Sequence, residues 1–217
     1  TGKEALLSTS LFRNRTSNLT LVTQNVQWAM LSGSSFVVAA YLQVIRHYSS
    51  VQTGVIFTAL TVGVLLSSMA AGRLAKRYAQ RTLILAGFGT TIAGILVLLL
   101  LVEGHPSPWY SSPGLFLMGL GVGLMLTPSV NVEQSAFPES KQGEISGLSR
   151  CISNLGSSIG TAIAGTILLV SFATPARSYG VAMLFLAVIG LIGLGAAVLL
   201  PSIKPGTPQA ADHAATR

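Results

Sequence analysis

Two long uncharged stretches of the sequence are separated by a short basic segment. Val51 to Ala71 and Leu83 to Val102 carry no charged side chain, and each approaches the roughly 20 apolar residues that a membrane-spanning helix needs. The segment between them contains four cations: Arg73, Lys76, Arg77 and Arg81. Because Lys and Arg beside a span resist translocation, this segment is predicted to be a cytoplasmic loop between two transmembrane helices.

The composition is that of a chain solvated by lipid. Only 9% of the residues are charged, against about 25% in soluble domains, and the mean hydropathy is +0.65. The net charge of +7 would suit nucleic acid, but the cations flank apolar spans and form no basic face. We therefore expect a lipid bilayer, and not nucleic acid, as the partner of these cations. Cys151 is the one cysteine, which excludes an internal disulfide.

Six segments are long and apolar enough to cross a membrane, and they predict an all-α membrane protein, a six-transmembrane-helix bundle over residues 19–201. The segments are Leu19–Leu42, Thr53–Ala71, Thr82–Val102, Gly114–Ala136 (broken by Pro128), Gly143–Phe172 and Val181–Leu200. Residues 1–18 are predicted to form a cytoplasmic or interfacial linker, and residues 202–217 a disordered cytoplasmic tail. The sequence begins with Thr and not Met, so we expect a fragment of a longer protein.

The loop charges predict the orientation of the bundle. With six spans, ten cations fall on the side of the termini and two, Arg46 and Arg177, on the other. The rule that positive loops stay inside then places both termini in the cytoplasm, with the chain as a multi-pass protein of the plasma or inner membrane.

Glu133, in the fourth span, is the only acid well inside a predicted span, and Arg150, in the fifth, is the only base. An ionisable group in a span is a functional candidate by default, so these two are candidates for gating or coupling. Each is within roughly 10 Å of the loop between the two helices, at 1.5 Å per residue. Snorkelling to water at the interface, without a functional role, therefore remains an open alternative.

Amide side chains within the spans form a second group of candidates: Gln24, Asn25, Gln27, Asn131 and Asn154. Amides are costly in lipid, so these side chains are expected to face the bundle or a cavity. They are candidates for a substrate path, and hydrogen bonding between helices is the alternative for each of them.

Small residues recur at four-residue spacing in the later spans. The pairs are Gly119 with Gly123, Gly143 with Gly147, and Gly156 with Gly160. Helices in lipid attract one another through close backbone contact, which glycine permits, so the pairs predict tight helix packing.

Several short motifs occur in an order that resembles the major facilitator superfamily. The basic loop Gly72, Arg73, Arg77, Arg81 resembles the superfamily's signature loop between the second and third helices of each half. Leu11-Phe12-Arg13-Asn14-Arg15, Gln27-Trp28 and the stretch from Pro138 to Gly165, with its Ser146-Gly147 pair and spaced glycines, resemble the C-terminal half of the fourteen-helix drug:proton antiporters.

The resemblance implies half of a major facilitator fold, built from two inverted three-helix repeats. It implies secondary active transport, most simply proton-coupled export of drugs or other small molecules. The proton would be the coupling ion, and a missing N-terminal half would supply the other wall of the substrate path. The alternative is a non-transporting six-helix scaffold or accessory subunit that assembles through its glycine faces.

Enzyme chemistry has little support in the sequence. The three histidines, His47, His105 and His213, lie outside the predicted spans, and Asp212 is the one aspartate. The sequence has no glycine-rich phosphate loop that ends in Lys-Ser or Lys-Thr. We expect no enzymatic activity, no cofactor and no metal site.

Overall fold

The computed structural model describes residues 15–104, 107–135, 142–170 and 175–200. The predicted tail (202–217) and most of the predicted linker (1–18) lie outside these residues and stay predictions. The described chain forms six long helices: α1 Arg15–Ala40, α2 Ser50–Leu74, α3 Gln80–Gly104, α4 Ser112–Ser135, α5 Gln142–Leu169 and α6 Pro175–Val198. A π-helical turn, Tyr41–Ile45, extends α1, and a short 3₁₀ helix, Pro108–Ser111, precedes α4.

The predicted six-helix membrane bundle is confirmed. Each long helix has the length and apolar composition to cross a membrane. The helix ends differ from the predicted spans by a few residues: α1 begins at Arg15, α5 ends at Leu169, and α6 begins already at Pro175. Hydropathy indicates which part of a helix lies in the hydrocarbon of the membrane, whereas backbone hydrogen bonds and capping residues determine where the helix begins and ends. At α2, for example, Ser49 and Gln52 form a reciprocal capping box.

The predicted break at Pro128 is wrong, because α4 continues through this residue to Ser135. Proline removes one N–H and crowds the preceding turn. Transmembrane helices tolerate this because neighbouring helices and local adjustments satisfy the freed backbone groups. α4 is the most buried of the six spans, at 56%, and so has such neighbours on most sides.

The two three-helix repeats interleave. α4 makes its most extensive contacts with α2 and α3, and α1 makes its own with α5 and α6. α2 and α4 run parallel, since Gly63 lies against Phe116 and Ser68 against Gly123. The middle helix of each predicted repeat, α2 or α5, therefore packs against the first helix of the other repeat, α4 or α1.

Glycines form the closest contacts between these helices. A Cβ added at Gly160 would lie 2.6 Å from Cα of Ala29, and one at Gly123 would lie 2.5 Å from the carbonyl oxygen of Val64. The predicted packing role of the pairs Gly119/Gly123 and Gly156/Gly160 is therefore confirmed. A Cβ added at Gly143 or Gly147 would meet none of the described residues within 4 Å, so these two glycines make no such contact within this chain and their packing role stays a prediction.

The apolar core lies between α1, α3, α4 and α6. Its largest fully buried side chains include Met30, Ile84, Phe88, Met118 and Leu186. Large apolar side chains also cover the outside of the bundle, and Leu100 and Leu169 are 77% and 86% exposed. An apolar exterior around an equally apolar interior is the arrangement expected of a bundle that has lipid as its solvent.

Candidate functional site

A polar cavity of about 290 Å³ lies between α1, α4 and α5. It is near the end of the bundle that carries the basic α2–α3 loop, here called the basic-loop end. Its lining residues are Gln24, Gln27, Trp28, Leu126, Ser129, Val130, Ile145, Ser146, Ser149, Arg150 and Ser153. Polar side chains gathered around a cavity between membrane helices are typical of a substrate or ion pathway.

Some of the polar groups in this lining are satisfied within the protein. The hydroxyl of Ser149 donates to Oε1 of Gln24 at 2.9 Å, which joins α5 to α1. The hydroxyl of Ser153 donates to the carbonyl oxygen of Ser149 at 2.8 Å. These bonds fix the orientation of one wall of the cavity.

Two deeply buried groups in the lining have no partner among the described residues. They are Nε2 of Gln27 and the hydroxyl of Ser129. Each residue is only 2% exposed. A buried donor without an acceptor costs about 1–3 kcal/mol, so these groups are more stable when a water molecule or a ligand occupies the cavity.

Arg150 is the only one of these lining residues with a charged side chain. It lies eight residues after Gln142, the first residue of α5, which is about 12 Å along the helix axis at 1.5 Å per residue. In the isolated chain the side chain of Arg150 is exposed, so its guanidinium is available to a group that enters the cavity. The half-buried Trp28 adds an aromatic surface to the same lining.

Asn25 has a structural role between α1 and α5. Its side-chain amide donates to the carbonyl oxygen of Ile152 at 3.1 Å. Ser32 and Ser157 form a similar bridge further along the two helices, at 2.9 Å. The structure therefore shows interhelical hydrogen bonding, the alternative to a substrate path, for Asn25. Gln24 makes such a bond and also lines the cavity, and Gln27 lines the cavity.

Several other predicted site residues lie apart from the cavity lining. Asn131 on α4 and Asn154 on α5 are both exposed. The backbone of Glu133 belongs to α4, but its side chain is not among the described ones, so its pairing with Arg150 stays a prediction.

The residues of the predicted signature loop lie at the surface. Gly72 and Arg73 are exposed in the last turns of α2, Arg77 is exposed in the connection, and Arg81 is partly buried near the start of α3. A Cβ added at Gly72 would meet none of the described neighbouring residues within 4 Å. This arrangement leaves all three cations accessible to a headgroup layer, and a gating role for them stays a prediction.

Sequence reasoning missed the serines of the cavity. Ser129, Ser149 and Ser153 are small, common in membrane helices and able to bond to their own helix backbone, so each gives a weak signal by itself. A usable signal was their spacing, since Ser149 and Ser153 lie one turn apart and flank Arg150 on α5.

An aromatic cluster joins α1 and α6 at the other end of the bundle. The rings of Tyr41 and Tyr179 meet edge to face, with centroids 5.3 Å apart. Nε of Arg46 donates to the hydroxyl of Tyr41 at 3.0 Å, and its guanidinium also lies over that ring. The cluster includes the π-helical turn and so fixes the end of α1 against α6.

Among the described residues, no three His, Cys, Asp or Glu side chains lie close enough together to hold a metal ion. What the described residues do form is a bundle of six spanning helices, with interleaved repeats and a polar cavity between three of them. These features define a multi-pass membrane protein.

The sequence profile of the Major Facilitator Superfamily matches residues 11–216. The chain therefore belongs to the major facilitator superfamily, which confirms the resemblance drawn from the motifs. A solved structure of a POT family transporter in complex with a thioalcohol-conjugated peptide superposes with a TM-score of 0.64 over 88% of this chain. It is 18% identical in sequence, so this likeness concerns the fold alone.

Two of the curated relatives described here are named as drug-resistance proteins and a third as a probable transporter. The multidrug resistance protein Stp of Mycobacterium tuberculosis is 31% identical over 75% of this chain. The puromycin resistance protein pur8 of Streptomyces alboniger is 32% identical over 58%, and the probable actinorhodin transporter of Streptomyces coelicolor is 25% identical over 76%. The matched regions cover 30%, 26% and 29% of those relatives, so the chain spans about a third of their length or less.

Proposed function

We propose that this chain is one half of a secondary transporter that exports drugs or other small molecules in exchange for protons. The observation that carries the proposal is the polar cavity between α1, α4 and α5, in which Gln27 and Ser129 are buried without a protein partner. The names of the relatives support export of drugs. In this mechanism two halves rock about a site near the middle of the membrane, and the cavity forms part of one wall.

The surface of α5 supports a second half as the partner. α5 is the most amphipathic of the six helices, and α2 and α5 are the least buried spans, at 22% each. Gly147, Cys151, Asn154 and Ser158 form an exposed small and polar face of α5. At 100° per residue this face is roughly a third of a turn from the cavity lining. Such a face suits close packing against another helix better than it suits lipid.

Cys151 provides a direct test of this contact, because it is the one cysteine and is exposed. A maleimide should react quickly with the isolated 217-residue chain in detergent, and at least about tenfold more slowly with the complete transporter. The unfolded complete transporter is the control, and its reaction rate should match that of the isolated chain. Equal rates in the two folded proteins would refute the contact on this face.

The orientation and the coupling are further parts of the proposal. The excess of cations at the basic-loop end supports cytoplasmic termini in the inner membrane. Coupling to protons is supported by the resemblance to drug:proton antiporters. Glu133 and Arg150 are proposed to meet near the cytoplasmic mouth and to help close it.

Export is tested in an efflux-deficient bacterium that expresses the complete transporter. Cells are loaded with ethidium, tetracycline or carboxyfluorescein, and the loss of each is followed with and without a protonophore. We expect export of at least one compound, its arrest by the protonophore, and a reduced rate in Gln27→Leu but not in the lipid-facing control Leu169→Ala. Unchanged retention of all three compounds would favour the scaffold alternative.

A further inference from the structure

The groups that the cavity leaves unused are hydrogen-bond donors. Nε2 of Gln27 and the hydroxyl of Ser129 have no partner among the described residues. Arg150 presents a guanidinium, which donates five hydrogen bonds and accepts none. By contrast, Oε1 of Gln24, an acceptor in the same lining, already receives a hydrogen bond from Ser149. A group with acceptor oxygens could therefore receive hydrogen bonds from Gln27, Ser129 and Arg150 together.

We infer that this cavity is a subsite for an anionic oxygen group, such as a carboxylate or a phenolate, at the end of an aromatic substrate. Arg150 would neutralise the charge, Gln27 and Ser129 would donate hydrogen bonds to the oxygens, and Trp28 would contact the adjoining ring. Charge-assisted hydrogen bonds of this kind are roughly twice as strong as neutral ones. The assignment rests on the proposed function, because it names the substrate chemistry of the same site.

The size of the cavity is consistent with a subsite. Its volume of about 290 Å³ is at the lower end of the roughly 300–1,000 Å³ found for small-molecule pockets. It therefore suits one ring and its charged substituent, and the rest of a larger substrate would extend toward the other half.

Trp28 provides a measurement that does not depend on transport. The chain has two tryptophans, and Trp109 is 62% exposed in the 3₁₀ helix at the other end of the bundle. In a Trp109→Phe background, the purified 217-residue chain in phosphatidylcholine nanodiscs reports binding through Trp28 fluorescence. The probes are 4-iodobenzoate and 4-iodobenzylamine, which have similar size and opposite charge and quench on contact.

We expect saturable quenching by 4-iodobenzoate, with at least about tenfold higher affinity than for 4-iodobenzylamine, as one charged hydrogen bond would give. Arg150→Gln should abolish this preference and Arg150→Lys should restore most of it, which shows that the loss is not one of folding. Gln27→Leu should weaken binding of the benzoate by about fivefold. Arg177→Gln, an exposed arginine in the first turns of α6, is the matched control and should leave binding unchanged.

Three results would overturn the assignment. The first is equal quenching by the two probes or a preference for the amine, and the second is an equal effect of Arg150→Gln and Arg177→Gln. The third is loss of the benzoate signal when phosphatidylglycerol is added to the nanodiscs, which would assign the cavity to a lipid headgroup. Each of these results is independent of export by the complete transporter, so failure of the subsite and failure of the proposed function are distinguishable.

Discussion

At the scale of single residues, the amides of α1 divide into two roles according to what they face. Gln24 and Gln27 line the cavity and Asn25 does not, although Gln24 and Asn25 both hold α5 through hydrogen bonds. The sequence predicted that these amides face the bundle or a cavity. Three amides within four residues do not by themselves reveal which neighbouring helix or cavity each one faces. That depends on the rotation of α1 against α5, which close contacts such as those of Gly156 with Asn25 and of Gly160 with Ala29 help to determine.

The hydrogen bond that Asn25 donates to α5 should contribute to the stability of the fold. Asn25→Ala removes the bond to the carbonyl oxygen of Ile152. It should lower the free energy of unfolding by between about 0.6 kcal/mol, the average for hydrogen bonds between membrane helices, and about 1.7 kcal/mol, their maximum. Asn154→Ala is the matched control on the isolated chain, because its side chain is exposed, and should change stability by less than about 0.5 kcal/mol. Unfolding in mixed micelles measures both, and equal losses would contradict the assigned role.

Glu133 and Arg150 are predicted to act as a pair during transport. If they close the cytoplasmic mouth together, Glu133→Gln and Arg150→Gln should each slow export, and the double change should be no worse than either single change. The guanidinium would then alternate between Glu133 and a bound anion. Export rates of the four complete transporters, at matched surface expression, provide the measurement. Additive defects would show that the two side chains act independently.

At the scale of helices, the sequence located the six elements well and their contacts less well. Uncharged stretches of membrane length give helices a strong signal, which is why every span was found. A glycine pair does not show by itself which side of its helix is covered. Gly143 and Gly147 have the same spacing as Gly156 and Gly160, yet only the later pair meets α1.

This difference within α5 predicts opposite effects of one substitution. Gly147→Ala should raise the stability of the isolated chain by up to about 1 kcal/mol, because alanine favours helix over glycine and the site is open. Gly160→Ala should lower it by about 1–3 kcal/mol, because the added methyl would overlap Ala29. Thermal unfolding of the two variants in detergent provides the comparison. A Gly160→Ala protein as stable as the parent would show that α1 and α5 are less closely packed.

At the scale of the whole molecule, the two ends of the bundle differ in chemistry. The basic-loop end has accessible cations and the polar cavity, and the other end has the aromatic cluster of Tyr41, Arg46 and Tyr179. The charge asymmetry could be predicted from the sequence, because it requires only that each cation be assigned to a loop. The aromatic cluster was not, because Tyr41 and Tyr179 are far apart in the chain and meet only through packing of α1 on α6.

The proposed orientation predicts which cysteines a membrane-impermeant maleimide reaches. In a Cys151→Ser background, Tyr78→Cys at the basic-loop end should react in inverted vesicles and not in intact cells. Val51→Cys at the opposite end of α2 should show the reverse. Both side chains are well exposed, at 53% and 77%, so access depends on the side of the membrane. Reaction of both from the same side would refute the orientation.

The interleaving of the repeats has a consequence for biosynthesis. The helices enter the membrane in order, but the partner of Asn25 is Ile152, 127 residues later. At translation rates of 5–20 residues per second, α1 waits roughly 6–25 s before its acceptor is made. During that interval the side-chain amide of Asn25 lacks the acceptor that it has in the folded chain. Slow translation of the segment between α1 and α5 should lengthen this interval, and should thus expose the nascent chain for longer to membrane proteases and insertion chaperones.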